Sequence, residues 1–418
     1  MMVEEALKRL SKTADEAEIF HLRTRTFTVK TKRYGIDLFK ENSSEGYGIR
    51  VLKNHRMGFY FSNRLDGDAL EMAVKVAGSA EEDRHHALPG EQRYLDRDQP
   101  LFEMDVEEGI KMAGELVGAC RDHKGVDPTA GALSWSTSQT TVANTKGLYA
   151  VKKEASISAY LSTVAKNGGP STGFHFQVSR RKDIDPLEVA GEACRLALSS
   201  LNPARLEAGE MPVILRPMAV AELFEYALIP SFSADNVQRG RSKLQGMVDE
   251  EVFSDVTIVD DPTMEGGLMS EPFDDEGVAS KRTVLVEKGI LRGFLYDMYT
   301  AAKEGCESTG NGVRASHSSL PQVGPSNFIV TGGQRIESEE EALVVHGLIG
   351  AHTSNPISGD FSCETRNAYL NGRPVKKAII SGNIFTILQG GVGFGSDVRQ
   401  YSAVVSPSIW LPPLSVSG

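Results

Sequence analysis

The stretch that most narrows what this chain can fold into is Pro212–Gly240, PVILRPMAVAELFEYALIPSFSADNVQRG. It reads as a strand, a tight turn, a helix and a loop. Pro217 stands where the helix starts, a position at which its missing N–H goes unused. Val220, Leu223, Phe224, Ala227 and Leu228 follow the 0, 3, 4, 7, 8 spacing of one buried helical face. Pro230 is expected to end the helix. Glu222, Glu225 and Tyr226 fall outside the apolar stripe, and this polar face carries no histidine and no cysteine. A buried helix at the entrance of a domain is a common place for catalytic groups, so the chemistry this face lacks becomes the main question.

A chain of 418 residues is too long for one hydrophobic core. Two domains are expected, an N-terminal unit over 1–208 and a C-terminal unit over 209–418. The net charge of −11, with no clustered Lys/Arg stripe, argues against a nucleic-acid partner. Cys120, Cys194, Cys306 and Cys363 are far apart and form no C-x-x-C pair, which suits reduced thiols in a cytosol. The opening MMVEEALKRLSKTADEAE is a charged amphipathic helix rather than a signal peptide, and no run approaches a membrane span. The expectation is a cytoplasmic protein without a membrane partner.

The first half alternates helix and strand patterns. Helices are predicted over 2–12, 66–80 (with Asp66 as N-cap), 106–120 and 186–201. Strands are predicted over 18–31, 34–42, 46–54 and 56–61, the last two joined at Lys53-Asn54-His55. A three-strand meander over 133–144, 148–153 and 157–166 follows, turning at 144–147 and 167–170, and then a strand over 172–179. Residues 81–99 read as a polar surface linker. This half is an antiparallel sheet with helices packed on it. The second half is β-rich. Strands are expected over 256–259, 283–287, 290–297, 327–331, 342–348, 367–370, 374–380 and 402–411, with helices at 218–229, 298–304 and 383–389. Lys288-Gly289 and Asn371-Gly372 are hairpin turns. The fold class is therefore α+β.

Several residue groups invite chemistry. His85-His86 lies in the polar linker and reads as solvated. His346, His352, Asp360 and Cys363 fall within eighteen residues, and Cys306 and His317 could add ligands; the types suit zinc, but the spacings match no metal motif. No G-x-S-x-G elbow is present. Gly390–Gly395 lacks the Lys-Ser/Thr of a phosphate loop and reads as a turn region. Asp249-Glu250-Glu251, Asp260-Asp261 and Asp274-Asp275-Glu276 are either a cation-attracting rim or, more simply, solvated turns.

Residues 254–305, with P-F-D-D-E-G, an E-K-G hairpin and a Y-D-x-Y-T-A helix start, resemble the TldD/PmbA family, whose members are also called modulators of DNA gyrase. The resemblance continues through CESTGNGVRASHSSLPQVGPSNFIVTGG and through ISGDFSCETRNAYLNGRPVKKAIISGN at 357–383. It also takes in Gly46–Asn63 and Asp66–Asp83. It implies an N-terminal α+β domain, a β-rich C-terminal domain, and a cytosolic peptidase acting on unfolded or small peptides. One subunit type carries H-E-x-x-x-H and a late cysteine and binds zinc. The link to gyrase implies processing of peptide toxins or antitoxins, not DNA contact.

Here the motif positions hold Glu225, Tyr226 and Pro230, and no cysteine follows Cys363. The resemblance is thus to the PmbA (TldE) branch. It implies no metal and no catalytic residue in this chain, with zinc in a TldD-like partner of a heterodimer. The loops Thr309–His317 and Ser358–Ser362 are the candidates for lining a peptide cleft, with Thr309, Gly310, Asn311, His317, Ser358, Gly359 and Asp360 as contacts. Two alternatives stay open. One is a homodimer that holds peptides without cutting them. The other is a peptidase with a metal on His317, His346, His352, Cys306 or Cys363.

Overall fold

Alternation in the first half builds strands longer than any local pattern suggests. The computed structural model describes residues 1–95, 101–166 and 169–418. The expected turn at Asn167-Gly168 and the linker residues 96–99 lie outside that range. Helix α1 (Val3–Leu10) buries Ala6 and Leu10 and leads into β1 (Glu16–Lys32), β2 (Gly35–Lys53) and β3 (Arg56–Ser62). Asn54 and His55 turn β2 into β3 with φ of 50° and 58°. In α2 (Gly67–Ser79) the Asp66 side chain accepts the Ala69 N–H at 3.0 Å, as the N-cap reading requires. Then follow α3 (Val106–Gly118), β4 (Val126–Asn144), β5 (Tyr149–Ala165), β6 (Ser171–Ser179) and α4 (Pro186–Ser199). The six strands form one antiparallel sheet in the order β3-β2-β1-β4-β5-β6, so β3 and β6 are its edges.

Two expectations are corrected by this sheet. Segments 34–42 and 46–54 are the single strand β2, and the expected three-strand meander is two strands, because 148–153 and 157–166 are the single strand β5. β2 is exposed from Gly35 to Ser44, so its polar run breaks no burial rule. In β5 the charges that look like a break, Lys152 and Glu154, have partners: Lys152 pairs with Asp275 at 3.0 Å and Glu154 accepts from Ser138 at 3.2 Å.

Helices cross this sheet where a side chain would not fit. A Cβ on Gly58 would lie 2.2 Å from the Ala73 carbonyl of α2, and one on Gly173 would lie 1.9 Å from the Ala193 carbonyl of α4. Gly173→Ala is therefore expected to destabilise the protein by about 1–3 kcal/mol through overpacking. Gly114→Ala on α3, which meets nothing within 4 Å, should leave the urea midpoint unchanged or raise it. Equal midpoints for Gly173→Ala and the parent would refute this crossing.

The second half starts with β7 (Gly209–Leu215) and α5 (Pro217–Ala227). β7 pairs in parallel with Leu343–Ile349 and antiparallel with Ile409–Ser417. The circuit continues through Ile379–Asn383 and Asp360–Leu370 and returns to Leu343–Ile349. Five strands thereby close into a barrel, which removes their free edges. A second sheet runs in the order 290–291, 283–287, 256–260, 328–332, 404–406, 399–401. α5 belongs to the core these layers share. Val220, Leu223, Phe224, Ala227 and Leu228 are all 0% exposed, as their spacing predicts.

The α+β class holds, and both predicted hairpins are present, with φ of 48° and 87° at Lys288-Gly289 and of 50° and 71° at Asn371-Gly372. Several bounds move. α5 ends at Ala227, and Pro230 stands in a 3-10 turn, Ile229–Phe232, rather than at the helix end. The strand expected over 290–297 is only Ile290–Leu291. The one expected over 374–380 divides into Arg373–Val375 and Ile379–Asn383, and that over 402–411 into Val404–Ser406 and Ile409–Ser417. Among the described residues no helix is long and apolar enough to cross a membrane.

Candidate functional site

α5 is fixed in position before any chemistry is considered. The Arg216 N–H donates to the Val345 carbonyl at 2.9 Å, and Pro217 opens the helix. Burial of the apolar stripe sets the rotation of the helix and turns Glu222, Glu225 and Tyr226 outward. Glu222 is anchored to the barrel: Oε1 accepts from Arg366 Nη2 at 2.7 Å and Oε2 from the Leu348 N–H at 2.5 Å. Burial raises its carboxyl above the usual range, against the pull of Arg366. Desolvation raises Glu225 in the same direction. Tyr226 is exposed and meets the His352 ring edge-on, centroids 6.4 Å apart. The Pro230 carbonyl accepts from Asn236 Nδ2 at 2.8 Å.

The two candidate loops have different neighbours. Thr309 Oγ1 donates to Asn311 Oδ1 at 2.6 Å, and buried Asn311 donates through Nδ2 to Asp260 at 2.9 Å and to the Gly324 carbonyl at 3.0 Å. Gly310 takes φ 77°. His317 lies against β2, so close that a Cβ on Gly46 would fall 2.3 Å from its ring. Ser358, Gly359 and Asp360 instead form a turn before the helix Ile384–Gln389. Ser358 Oγ donates to Asp360 at 2.6 Å, and Asn383 Nδ2 donates to the same carboxylate at 2.7 Å. These bonds hold Asp360 below the usual carboxylate range. Gly359 has φ 79°, with the Phe385 ring 2.4 Å from where a Cβ would lie.

The P-F-D-D-E-G segment forms neither a cation-attracting rim nor a solvated turn. Asp274 and Glu276 are buried. Asp274 accepts the N–H groups of Glu276 (2.9 Å), Val278 (2.9 Å) and Gly312 (2.8 Å). Glu276 binds Arg50 of β2 at 2.9 Å, and Arg50 binds Glu18 of β1 at 2.8 Å. Arg314 completes the cluster by pairing with the second oxygen of Glu18. Lys152 of β5 reaches Glu271 and Asp275. Charges from both halves of the chain thus meet in one buried seam. The polar linker joins this contact instead of standing in solvent. His86 stacks on Tyr299 at 4.8 Å, the Tyr299 hydroxyl donates to Asp83 at 2.8 Å, and Tyr94 donates to the Gly277 carbonyl at 2.8 Å. None of these pairings has a local signal in the sequence, although the run of acids at 274–276 marks one side of them.

Comparison with known proteins places this architecture. Residues 208–418 match the PmbA/TldA metallopeptidase C-terminal domain, 99–201 the central domain and 17–80 domain 1. The chain belongs to the PmbA/TldD metallopeptidase family. An uncharacterized Methanocaldococcus jannaschii protein is 31% identical over 419 residues, 98% of each chain. The metalloprotease PmbA of Escherichia coli O157:H7 is 26% identical over 446 residues, covering 100% of this chain and 95% of that one. The crystal structure of TldE from Thermococcus kodakarensis superposes with a TM-score of 0.92 at 26% identity, over 99% of both chains. A Thermotoga maritima protein described as a modulator of a DNA gyrase gives a TM-score of 0.89 at 28% identity over 100% of both.

The residues of this PmbA/TldD chain at Glu225, Tyr226 and Pro230 do not fit a metal site of the kind that the word metallopeptidase suggests. At the motif positions only Glu225 has a side chain that suits a divalent metal. Tyr226 is engaged with His352, and Pro230 has no donor atom. Cys363 is buried in the strand Asp360–Leu370, and Cys306 is exposed just beyond the helix Met298–Glu304. His346 stacks edge-on with Tyr369 at 5.5 Å. Among the described residues no three His, Cys, Asp or Glu side chains group so as to hold a metal ion.

Proposed function

We propose that this chain is the metal-free subunit of a TldD/TldE-type peptidase that acts on unfolded or small peptides. It pairs with a zinc-bearing paralogue and helps enclose the substrate. The observation that carries this reading is the face of α5. The family's helix is retained with a fully buried stripe, while Glu225, Tyr226 and Pro230 stand at the ligand and base positions. The similarity to TldE over the whole chain supports the same assignment.

The test is co-expression with a paralogue carrying H-E-x-x-x-H, followed by solution mass, zinc analysis and a peptide cleavage assay. The expected result is a mixed complex whose zinc follows the paralogue, and cleavage that is lost when either chain is omitted. A stoichiometric zinc in the isolated chain would overturn the reading. So would a paralogue that cleaves equally well alone. A homodimer that ignores the paralogue would favour the peptide-holding alternative.

A further inference from the structure

β6 is the outer strand of the first sheet, and Arg399–Tyr401 is the outer strand of the second. Both edges line a single cavity of about 1040 Å³ between the two halves of the chain. Phe176 of β6 and Tyr401 meet edge-on there, with centroids 5.1 Å apart.

The backbone of β6 has a definite free side. The Thr172 carbonyl turns away from β5 and accepts from Asn367 Nδ2 at 2.8 Å. In an antiparallel ladder alternate residues send both backbone groups the same way, and the β5–β6 register has no shift. Phe174, Phe176 and Val178 therefore direct N–H and C=O toward the cavity, and among the described residues these groups bond to no other backbone outside the sheet. The strand STGFHFQVS contains no proline and no lysine that would block pairing. An edge of this kind is a template for an added strand.

Charge gives the edge a direction. α4 runs antiparallel to β6: Gly173 lies beside Ala193, and Gln177 accepts the Asp185 N–H at 3.3 Å. Asp183 and Glu188 consequently stand at the Ser179 end of the cavity, and neither has a cationic partner among the described residues. Arg366, Arg195 and Arg216 stand at the other end, Arg366 lying over the Phe174 ring at 5.1 Å. Arg366 and Arg195 each hold one carboxylate, Glu222 or Glu192, and Arg216 holds Glu339 at 2.7 Å with Asp397 at 4.0 Å, but a guanidinium has five N–H groups and keeps donors to spare. The first turn of α5 at this end has no side-chain cap, which also favours a carboxylate.

We propose that this cavity binds an extended peptide with free ends, added antiparallel to β6. Its amino end lies at Asp183 and Glu188, and its carboxyl end lies toward Arg195, Arg366 and the start of α5. Phe174–Ser179 at about 3.3 Å per residue spans roughly 20 Å, the length of a hexapeptide strand. The ligand class rests on the reading above, but the site requires neither zinc nor a second subunit.

Calorimetry on the isolated full chain tests this with the hexapeptide Thr-Val-Ser-Val-Thr-Ala and its singly N-methylated forms. N-methylation at residues of one parity should weaken binding at least tenfold, and at the other parity should leave it unchanged. Acetylating the amino end should weaken binding several-fold, and Asp183→Asn with Glu188→Gln should remove that sensitivity. Val178→Pro removes an outward N–H and spares the ladder to β5; it should abolish binding without changing the circular dichroism spectrum. Absence of binding at millimolar peptide, or loss that ignores parity, overturns the proposal. A dimer of this chain that Val178→Pro dissociates would assign the edge to a second copy and overturn it as well. Failure here alongside a functional mixed complex would refute this site alone. Peptide binding in a chain that never pairs with the paralogue would refute only the subunit reading.

Discussion

Arg314→Met will lower the stability of the folded chain by about 3–5 kcal/mol, the usual penalty for stranding one member of a buried ion pair. Glu18 is 0% exposed and has two cationic partners, Arg50 and Arg314. Arg314 also donates to the Ser319 carbonyl at 3.0 Å and the Asp275 carbonyl at 3.2 Å, and lies over the Phe20 ring at 4.7 Å. Methionine restores much of the volume but none of these donors. Glu18 then keeps one partner, and that partner is shared with Glu276. Equilibrium urea unfolding followed by fluorescence should show a clearly lower midpoint. Glu18→Gln added to Arg314→Met should recover part of the loss, because the unpaired charge is then gone. A single-variant midpoint within error of the parent would mean that the seam does not hold the two halves together.

That seam also explains which parts of the structure the sequence could convey. Periodicity reports one-dimensional order, and it located α5, the Asp66 cap and the turns at Lys288-Gly289 and Asn371-Gly372 because each depends on residues close in the chain. It failed where burial is set by distant partners. Lys152 and Glu154 look like a break in β5, and they sit inside the strand only because charged groups elsewhere in the chain meet them. The exposed arm of β2 failed for the opposite reason: with neither face covered, pairing with β1 holds it extended and the side chains need not alternate. The candidate site divides in the same way. The lack of histidine and cysteine on the polar face of α5 is visible, since it concerns residue types along one helix. The β6 edge is invisible, because its opposite wall comes from Arg399–Tyr401, more than two hundred residues later.

The same burial should make the protein lose stability as pH rises from about 5 to 8, the reverse of the trend for carboxylates held ionised in salt bridges. Burial pushes Asp260 up to about 6, and it pushes both Glu271 and Asp274 up to about 8, Asp274 with the help of the neighbouring Glu276. In the unfolded chain these groups titrate near 4. Between the two values the folded state binds more protons on these three acids than the unfolded one does, so through them each unit of rising pH favours unfolding. His346, which burial lowers to about 4, and His86 and His175, lowered by burial in the same direction, oppose this slope below about pH 6.5. The window opens near pH 4 and closes near pH 8. For Asp260 alone, a rise of about two units corresponds to about 3 kcal/mol across it. Below the window the slope reverses. Burial works against Glu154, yet the neighbouring Glu271 carboxyl and the charges of Lys152 and Arg180 hold it at about 2. Asp83 is likewise at about 2, against burial, through bonds from His85 and Tyr299. Their contributions are present above pH 4 and fade as pH falls toward 2. Urea midpoints measured from pH 3 to 9 should therefore peak near pH 4. Asp260→Asn, whatever it does to the absolute midpoint, should flatten the curve between pH 4 and 6, since it removes the proton that the folded state gains there. A parent midpoint that climbs steadily from pH 5 to 8.5 would show these carboxylates ionised in the fold, and the buried acids would then be held by their N–H donors rather than by protonation.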